Sequence, residues 1–178
     1  MLYEIKIQLR GIKPSIWRTI RISPQTSLPK LHRIIQKTMG WTNSHLHLFE
    51  IDEVLYGDGE FDWDLDINDY RGLSINRIFN ERRKSFVYEY DLGDSWKHDI
   101  TLLYTIAGKP EEKITCVAGE RACPPEDCGG VPGYYNLLRI LSDPSDEDYD
   151  EMLEWVGGKY DPAYFDVSAT DRVLKRIR

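Results

Sequence analysis

The chain has 178 residues, of which 41% are hydrophobic and 12% aromatic, so it can build a packed core and is not intrinsically disordered. No apolar run approaches the ~20 residues of a membrane span, the opening MLYEIKIQLR lacks the apolar stretch of a secretory signal, and three cysteines do not make a disulfide framework. The expectation is one cytoplasmic domain, residues 1–178, with reduced thiols and no membrane contact. Net charge is −7 and unevenly placed: eight Lys and Arg face Glu4 alone in residues 1–40, six face fourteen acids in residues 41–100, and nine face fifteen beyond.

Tyr3, Ile5, Ile7 and Leu9 alternate with polar residues, the pattern of a half-buried strand. After a turn at Gly11–Ser15, Ile16, Ile20 and Ile22 mark a second strand, and the two form an antiparallel hairpin. Leu28, Leu31, Ile34, Ile35 and Met39 follow helical spacing, with Ser27 or Thr26 as cap, Pro29 in the first turn and Gly40 at the end. His45, His47, Phe49 and Ile51 alternate along a strand. Asp52 to Asn68 reads as a polar, acidic connection, and Leu73 to Phe79 as a short helix. Phe86, Tyr88, Tyr90 and Leu92, then His98 to Ile106, make a long hairpin broken at Gly93-Asp94, with a loop slightly longer than two residues. Tyr134, Leu137, Leu138 and Leu141 define a helix stopped by Asp143-Pro144. Ser145 then caps a helix with Tyr149, Met152, Leu153 and Val156 as its apolar stripe, ended by Gly157-Gly158. Ser168 and Asp171 suggest a capping box for a last helix reaching Arg178. Strands come first and helices last, without strand–helix alternation, which is an α+β pattern with a mainly antiparallel sheet.

Two segments concentrate the chemistry. PPEDCGG, Pro124 to Gly130, joins two prolines of fixed φ to two glycines that tolerate positive φ, so it is a shaped loop that aims Glu126, Asp127 and Cys128. YDLGDSWKHDI, Tyr90 to Ile100, places carboxylates at a strand end beside a large aromatic. The two are expected to pack together and line one concave site, with Tyr90, Trp96, Cys128, Gly129 and Gly130 as binding residues. Asp91, Asp94, His98, Glu126 and Asp127 are the pool for a general base and its orienting partner. Their structural reading is that Asp94 ties down the backbone of its own turn and Glu126 or Asp127 that of the PPEDCGG loop.

Metal readings are weaker. His45 and His47 share one side of a strand, but Phe49 and Ile51 mark that side as core. Counted from Asp62, the acidic run Asp58 to Asp69 puts Ile67 and Leu73 where a calcium loop needs Gly and Glu. Cys116, Cys123 and Cys128 are spaced C-x6-C-x4-C and lack zinc knuckles. No dinucleotide fingerprint, P-loop or G-x-S-x-G is present. Neither metal nor cofactor is expected. Lys13, Arg18, Arg21, Lys30, Arg33 and Lys37 form the basic N-terminal third. They are the candidate nucleic-acid contacts, a surface for the acidic half of a second copy, or a solvated face.

The segments YEIKIQLRGIKPSIWRTIRI, LPKLHRIIQKTMGW, HLHLFEI, FVYEYDLGDSWKHDI and CVAGERACPPEDCGGVPGYYNLLRIL, with PAYFD at 162–166, resemble the plasmid pRiA4b ORF-3-like family almost end to end. The resemblance implies a compact α+β fold and an association with plasmids and mobile elements, where a resolvase-like name is attached to some members. It brings no reaction and no catalytic residues. The arginines at 10–33 and 71–83 accompany no recombinase nucleophile motif. The resulting reading is a binding domain of unknown partner. The alternatives are a small, metal-assisted hydrolase at the carboxylate pool and a nucleic-acid binder using the basic third.

Overall fold

The computed structural model describes residues 1–59, 66–109 and 114–177. The first two strands are β1 (Leu2–Leu9) and β2 (Trp17–Ile22), antiparallel with Ile5 opposite Ile20 and Ile7 opposite Arg18. Alternation turns Ile5, Ile7, Leu9, Ile20 and Ile22 to one face, and all five are buried. Helix α1 (Leu28–Met39) lays Leu28, Leu31, Ile34, Ile35 and Met39 into the same core. Its ends match the expected signals. Ser27 accepts the Lys30 N–H, and Gly40, with φ 94°, donates its own N–H to the Gln36 carbonyl.

The rest of the sheet comprises β3 (His47–Ile51), β4 (Val54–Gly57), β5 (Ile67–Asp69), β6 (Ser85–Tyr90), β7 (Trp96–Ile106) and β8 (Thr115–Glu120). Together with the first pair they form one eight-stranded mixed sheet in the order β5-β4-β3-β6-β7-β1-β2-β8. Only the β4–β5 pairing is parallel among the described strands. Between β4 and β6 lies the short helix α2 (Ile75–Ile78), where a short helix is expected. The α+β class holds.

Several local readings change. The Asp52–Asn68 stretch is not all connection. Asp52 and Glu53, both at positive φ, make a two-residue turn into β4, which pairs with β3, and β5 begins at Ile67. Glu60, Asp62 and Asp64 of the acidic run lie outside the described residues. Strand β8 has no clear alternation yet pairs with β2, with Cys116 opposite Ile20. Here pairing to a neighbour overrides a weak local pattern.

The three later helices are α3 (Gly130–Leu141), α4 (Tyr149–Trp155) and α5 (Val167–Leu174). The residue at the α4 cap position is Asp148, while Ser145 closes a turn on Asp143, and no residue of α4 is buried. Asp166 caps α5 by accepting the Ala169 N–H. Ser168 therefore sits inside the helix. Asp171 reaches back to accept the Cys116 N–H of β8 and pairs with Lys175.

Candidate functional site

Three segments meet at one end of the sheet: the α1–β3 connection around Trp41–Leu46, the β6–β7 turn Asp91–Ser95, and the PPEDCGG loop. The meeting depends on glycine. Gly130 has φ 66°, and a Cβ built on it would sit 2.6 Å from the Asp94 carbonyl oxygen, so only glycine allows the turn and the loop to touch. One helical turn on, a Cβ at Gly133 would collide with the Cys128 carbonyl.

Polar bonds lock the three segments. Glu126 Oε2 accepts from the Thr42 N–H at 3.0 Å and Oγ1 at 2.5 Å, while Oε1 accepts the Tyr90 hydroxyl at 2.5 Å. Burial disfavours the Glu126 carboxylate, but its hydrogen bonds from Thr42 and Tyr90 prevail and hold the carboxyl below its ordinary value. The Tyr90 hydroxyl is pushed up, first by burial and then by Glu126. It also receives the Ser44 N–H at 2.9 Å. Asp94 Oδ2 accepts the Gly129 N–H at 3.1 Å, placing a carboxylate at the N-terminus of α3. Trp41 stacks on Tyr90 with ring centroids 4.9 Å apart and donates its indole N–H to the Pro124 carbonyl at 3.0 Å.

Asp91, with φ 56°, folds its own turn by accepting the Gly93 and Asp94 N–H groups on Oδ1. Its Oδ2 lies 3.7 Å from His45 Nδ1, and the other ring nitrogen, Nε2, lies 3.0 Å from Asp127 Oδ1. The Asp91 distance is too long for a hydrogen bond, and His45 Nε2 is shielded from solvent without an aligned partner. His45, Asp91 and Asp127 bring one donor atom each within 4.8 Å of one another, the one such group of His, Cys, Asp or Glu among the described residues.

A groove of about 560 Å³ opens beside this cluster, lined by Arg33, Asn43, His45, His47, Asp58 and Tyr70 among others. His32 also lines it, its ring stacked on that of His47 with centroids 3.4 Å apart and 3° from parallel. His32 Nε2 faces Asn43 Oδ1 at 2.6 Å, which makes Nε2 the protonated nitrogen, and Nδ1 accepts from the Tyr88 hydroxyl at 2.8 Å. Desolvation lowers His32 to about 4 and His47 to about 3, so both rings are neutral.

The structure thus brings Tyr90, Asp91, Asp94, Glu126, Asp127, Gly129 and Gly130 into one neighbourhood, but it separates His98 from them. His98 is fully buried between Trp41 and Tyr88, and burial lowers it to about 4. Trp96 is equally sealed. Cys128 is half-buried, and burial pushes its thiol up to about 12, the opposite of an activated nucleophile. Burial also raises Cys116 to about 11 and Cys123 further. Sequence reasoning overlooked Trp41, Thr42 and Asn43. Their only signal was position, directly after the Gly40 helix stop.

The basic set divides. Arg18 is 1% exposed, its guanidinium donating to the Trp17, Thr38, Glu120 and Arg121 carbonyls and stacking on Phe165 at 3.8 Å. It is an internal staple. Arg21 points away from the core between Ile20 and Ile22 and pairs with Glu4, on the sheet face opposite α1. Lys13 is exposed in the β1–β2 loop. Arg33 and Lys37 are exposed on α1, with Lys30 half-exposed. No helix of the described residues is long and apolar enough to cross a membrane.

The model of the plasmid pRiA4b ORF-3-like protein family matches residues 1–169. An uncharacterized protein, y4hQ of Sinorhizobium fredii, is 34% identical over 173 residues, covering 96% of this chain and 89% of its own length. The crystal structure of MM3350 from Methanosarcina mazei Go1, a protein of unknown function, superposes with a TM-score of 0.86 at 33% identity, covering 94% of each chain. The loop junction and the groove beside it are thus features of a member of the plasmid pRiA4b ORF-3-like family, to which this chain belongs.

Proposed function

We propose that the chain is a cytoplasmic binding domain without catalysis of its own, and that its ligand seats in the groove beside the loop junction. The observation that carries this reading is that most of the acid–base pool is tied into structure, with Asp127 and the second oxygen of Asp91 as the exceptions. Glu126 is held by Thr42 and Tyr90, Asp94 by the Gly129 N–H and Asp91 Oδ1 by its own turn, while His98 is sealed in the core. A general base needs a free lone pair within reach of a substrate proton. Here Glu126, Asp94 and Asp91 Oδ1 act as cross-links of the junction next to the groove, and none of the three lines it. What faces the groove is a set of recognition groups: the Arg33 guanidinium, the Asn43 amide, imidazoles and the Tyr70 ring.

The test pairs an amide NMR titration with a turnover screen. Nucleotides, sugar phosphates, amino acids and short DNA and RNA duplexes are titrated into labelled protein, and chromogenic phosphate esters, carboxyl esters and glycosides are offered as substrates. The expected result is saturable shifts at Asn43–His47 and Tyr70 with one ligand class and no turnover. Hydrolysis abolished by Asp91→Asn would overturn the reading in favour of an enzyme. Shifts confined to Lys30, Arg33 and Lys37 with nucleic acid would move the function to the α1 surface.

A further inference from the structure

We propose that His45, Asp91 and Asp127 form a binding site for a divalent first-row transition ion. The site goes beyond the groove reading and stands whether or not the groove takes an organic ligand. Three segments far apart in sequence each deliver one donor: the α1–β3 connection, the β6–β7 turn and the PPEDCGG loop. The donor atoms lie within 4.8 Å of one another. An ion with bonds of about 2.0–2.2 Å joins donors at most ~4.4 Å apart, so closing the set takes a few tenths of an ångström in distance together with a side-chain rotation, because Asp91 faces His45 Nδ1 and Asp127 faces Nε2.

Each donor has the freedom this needs. Asp91 is fixed through Oδ1 by the Gly93 and Asp94 N–H groups, which leaves Oδ2 toward the ring. The Asp127 side chain is 70% exposed and can swing. His45 Nε2 is shielded from water yet lacks an aligned hydrogen bond, an unmet requirement that coordination would satisfy.

Donor chemistry selects the ion. One imidazole with two carboxylates suits Zn²⁺, Mn²⁺ or Fe²⁺ and offers too few oxygens for a calcium cage. Two carboxylates balance the ion's charge, and the acidic chain favours a cation at its surface. With three protein ligands the ion keeps open positions. His45 also lines the groove, so an anionic oxygen of a groove ligand could complete the shell. Sequence spacing could not reveal the set, because its members are 36 to 82 residues apart. The rival reading is a metal-free cluster in which the His45 ring meets Asp127 directly.

Cobalt(II) titration of metal-free protein, followed by visible absorption and calorimetry, separates the two. One equivalent of Co²⁺ should bind with d–d bands and no thiolate charge-transfer band, and Zn²⁺ should displace it. Asp127→Asn and His45→Gln should each weaken binding at least about tenfold, the scale at which even outer-shell partners act. Asp127 is the cleaner probe because its side chain is exposed and its contact is with His45, itself a member of the set, and thermal melts of both variants in the absence of metal should match wild type within a few degrees. No binding up to millimolar Co²⁺, binding unchanged in Asp127→Asn, or a thiolate band would overturn the site and leave the metal-free cluster.

Discussion

The β1–β2–α1 unit and the loop junction are built on opposite terms. The first is held by periodic apolar burial: Ile5, Ile7, Ile20, Leu31, Ile34 and Ile35 are all shut from solvent, and each element announces itself through its own repeat. The second is held by polar bonds between residues far apart in sequence, such as Glu126 with Thr42 and Tyr90, or Asp94 with Gly129. Apolar packing tolerates volume-conserving exchange. A polar network loses most where a lost bond leaves a desolvated group, which here is the buried Tyr90 end rather than the exposed Thr42 and Gly129 bonds. The difference makes the junction rigid, specific and sensitive to single substitutions.

Acid should break the contrast most strongly. His32 and His98 are kept neutral in the fold, both near 4 against an ordinary value of about 6.5. As pH falls below about 6.5 the unfolded chain takes up these protons and the folded one does not. Stability is therefore complete above that value and declines toward pH 4, by about 3 kcal/mol per ring on an order-of-magnitude basis. Urea melts at pH 7, 5.5 and 4.5 should show this loss, with a shallower slope in His98→Leu. A flat profile, or an unchanged slope in the variant, would show that these rings titrate normally in the fold.

Gly130→Ala sharpens the comparison next. The new methyl would strain a φ of 66° and press on the Asp94 carbonyl, costing about 2–4 kcal/mol. Hydrogen exchange should rise in the Asp91–Ser95 turn and the PPEDCGG loop while β1 and α1 keep their protection. Uniform loosening of the whole domain would mean that the junction is not a separate unit.

The same contrast explains what could be read from the sequence. The helix at Leu28–Met39, with Ser27 and Gly40 at its ends, and the hairpins around Gly11 and Gly93 were legible because period and turn chemistry are local. Density of unusual residues was enough to expect the PPEDCGG loop beside the Tyr90 turn, but the expectation that both line one concave site is not met by the groove, which neither segment lines. Which carboxylate bonds what was not legible: Asp94 was expected to tie its own turn, but Asp91 does that and Asp94 reaches across to Gly129. Arg18 looked like surface charge because nothing in its neighbours shows that four carbonyls converge on it. Strand β8 and the α4 cap were missed for the same reason, since a sheet neighbour and a turn at Asp143 decided them.

The central claim is that Glu126, Asp94 and Asp91 Oδ1 are structural cross-links of the junction, and a double-mutant cycle on Glu126 and Tyr90 tests it most directly. Glu126→Gln, Tyr90→Phe and the double variant are compared by urea unfolding at pH 7. The account predicts that each single change destabilises by about 1–3 kcal/mol, and that the double variant loses less than the sum by about 1–2 kcal/mol, because removing one partner already strands the other. Additive losses, or a Glu126→Gln protein as stable as wild type, would contradict it and return Glu126 to the pool of groups free for chemistry.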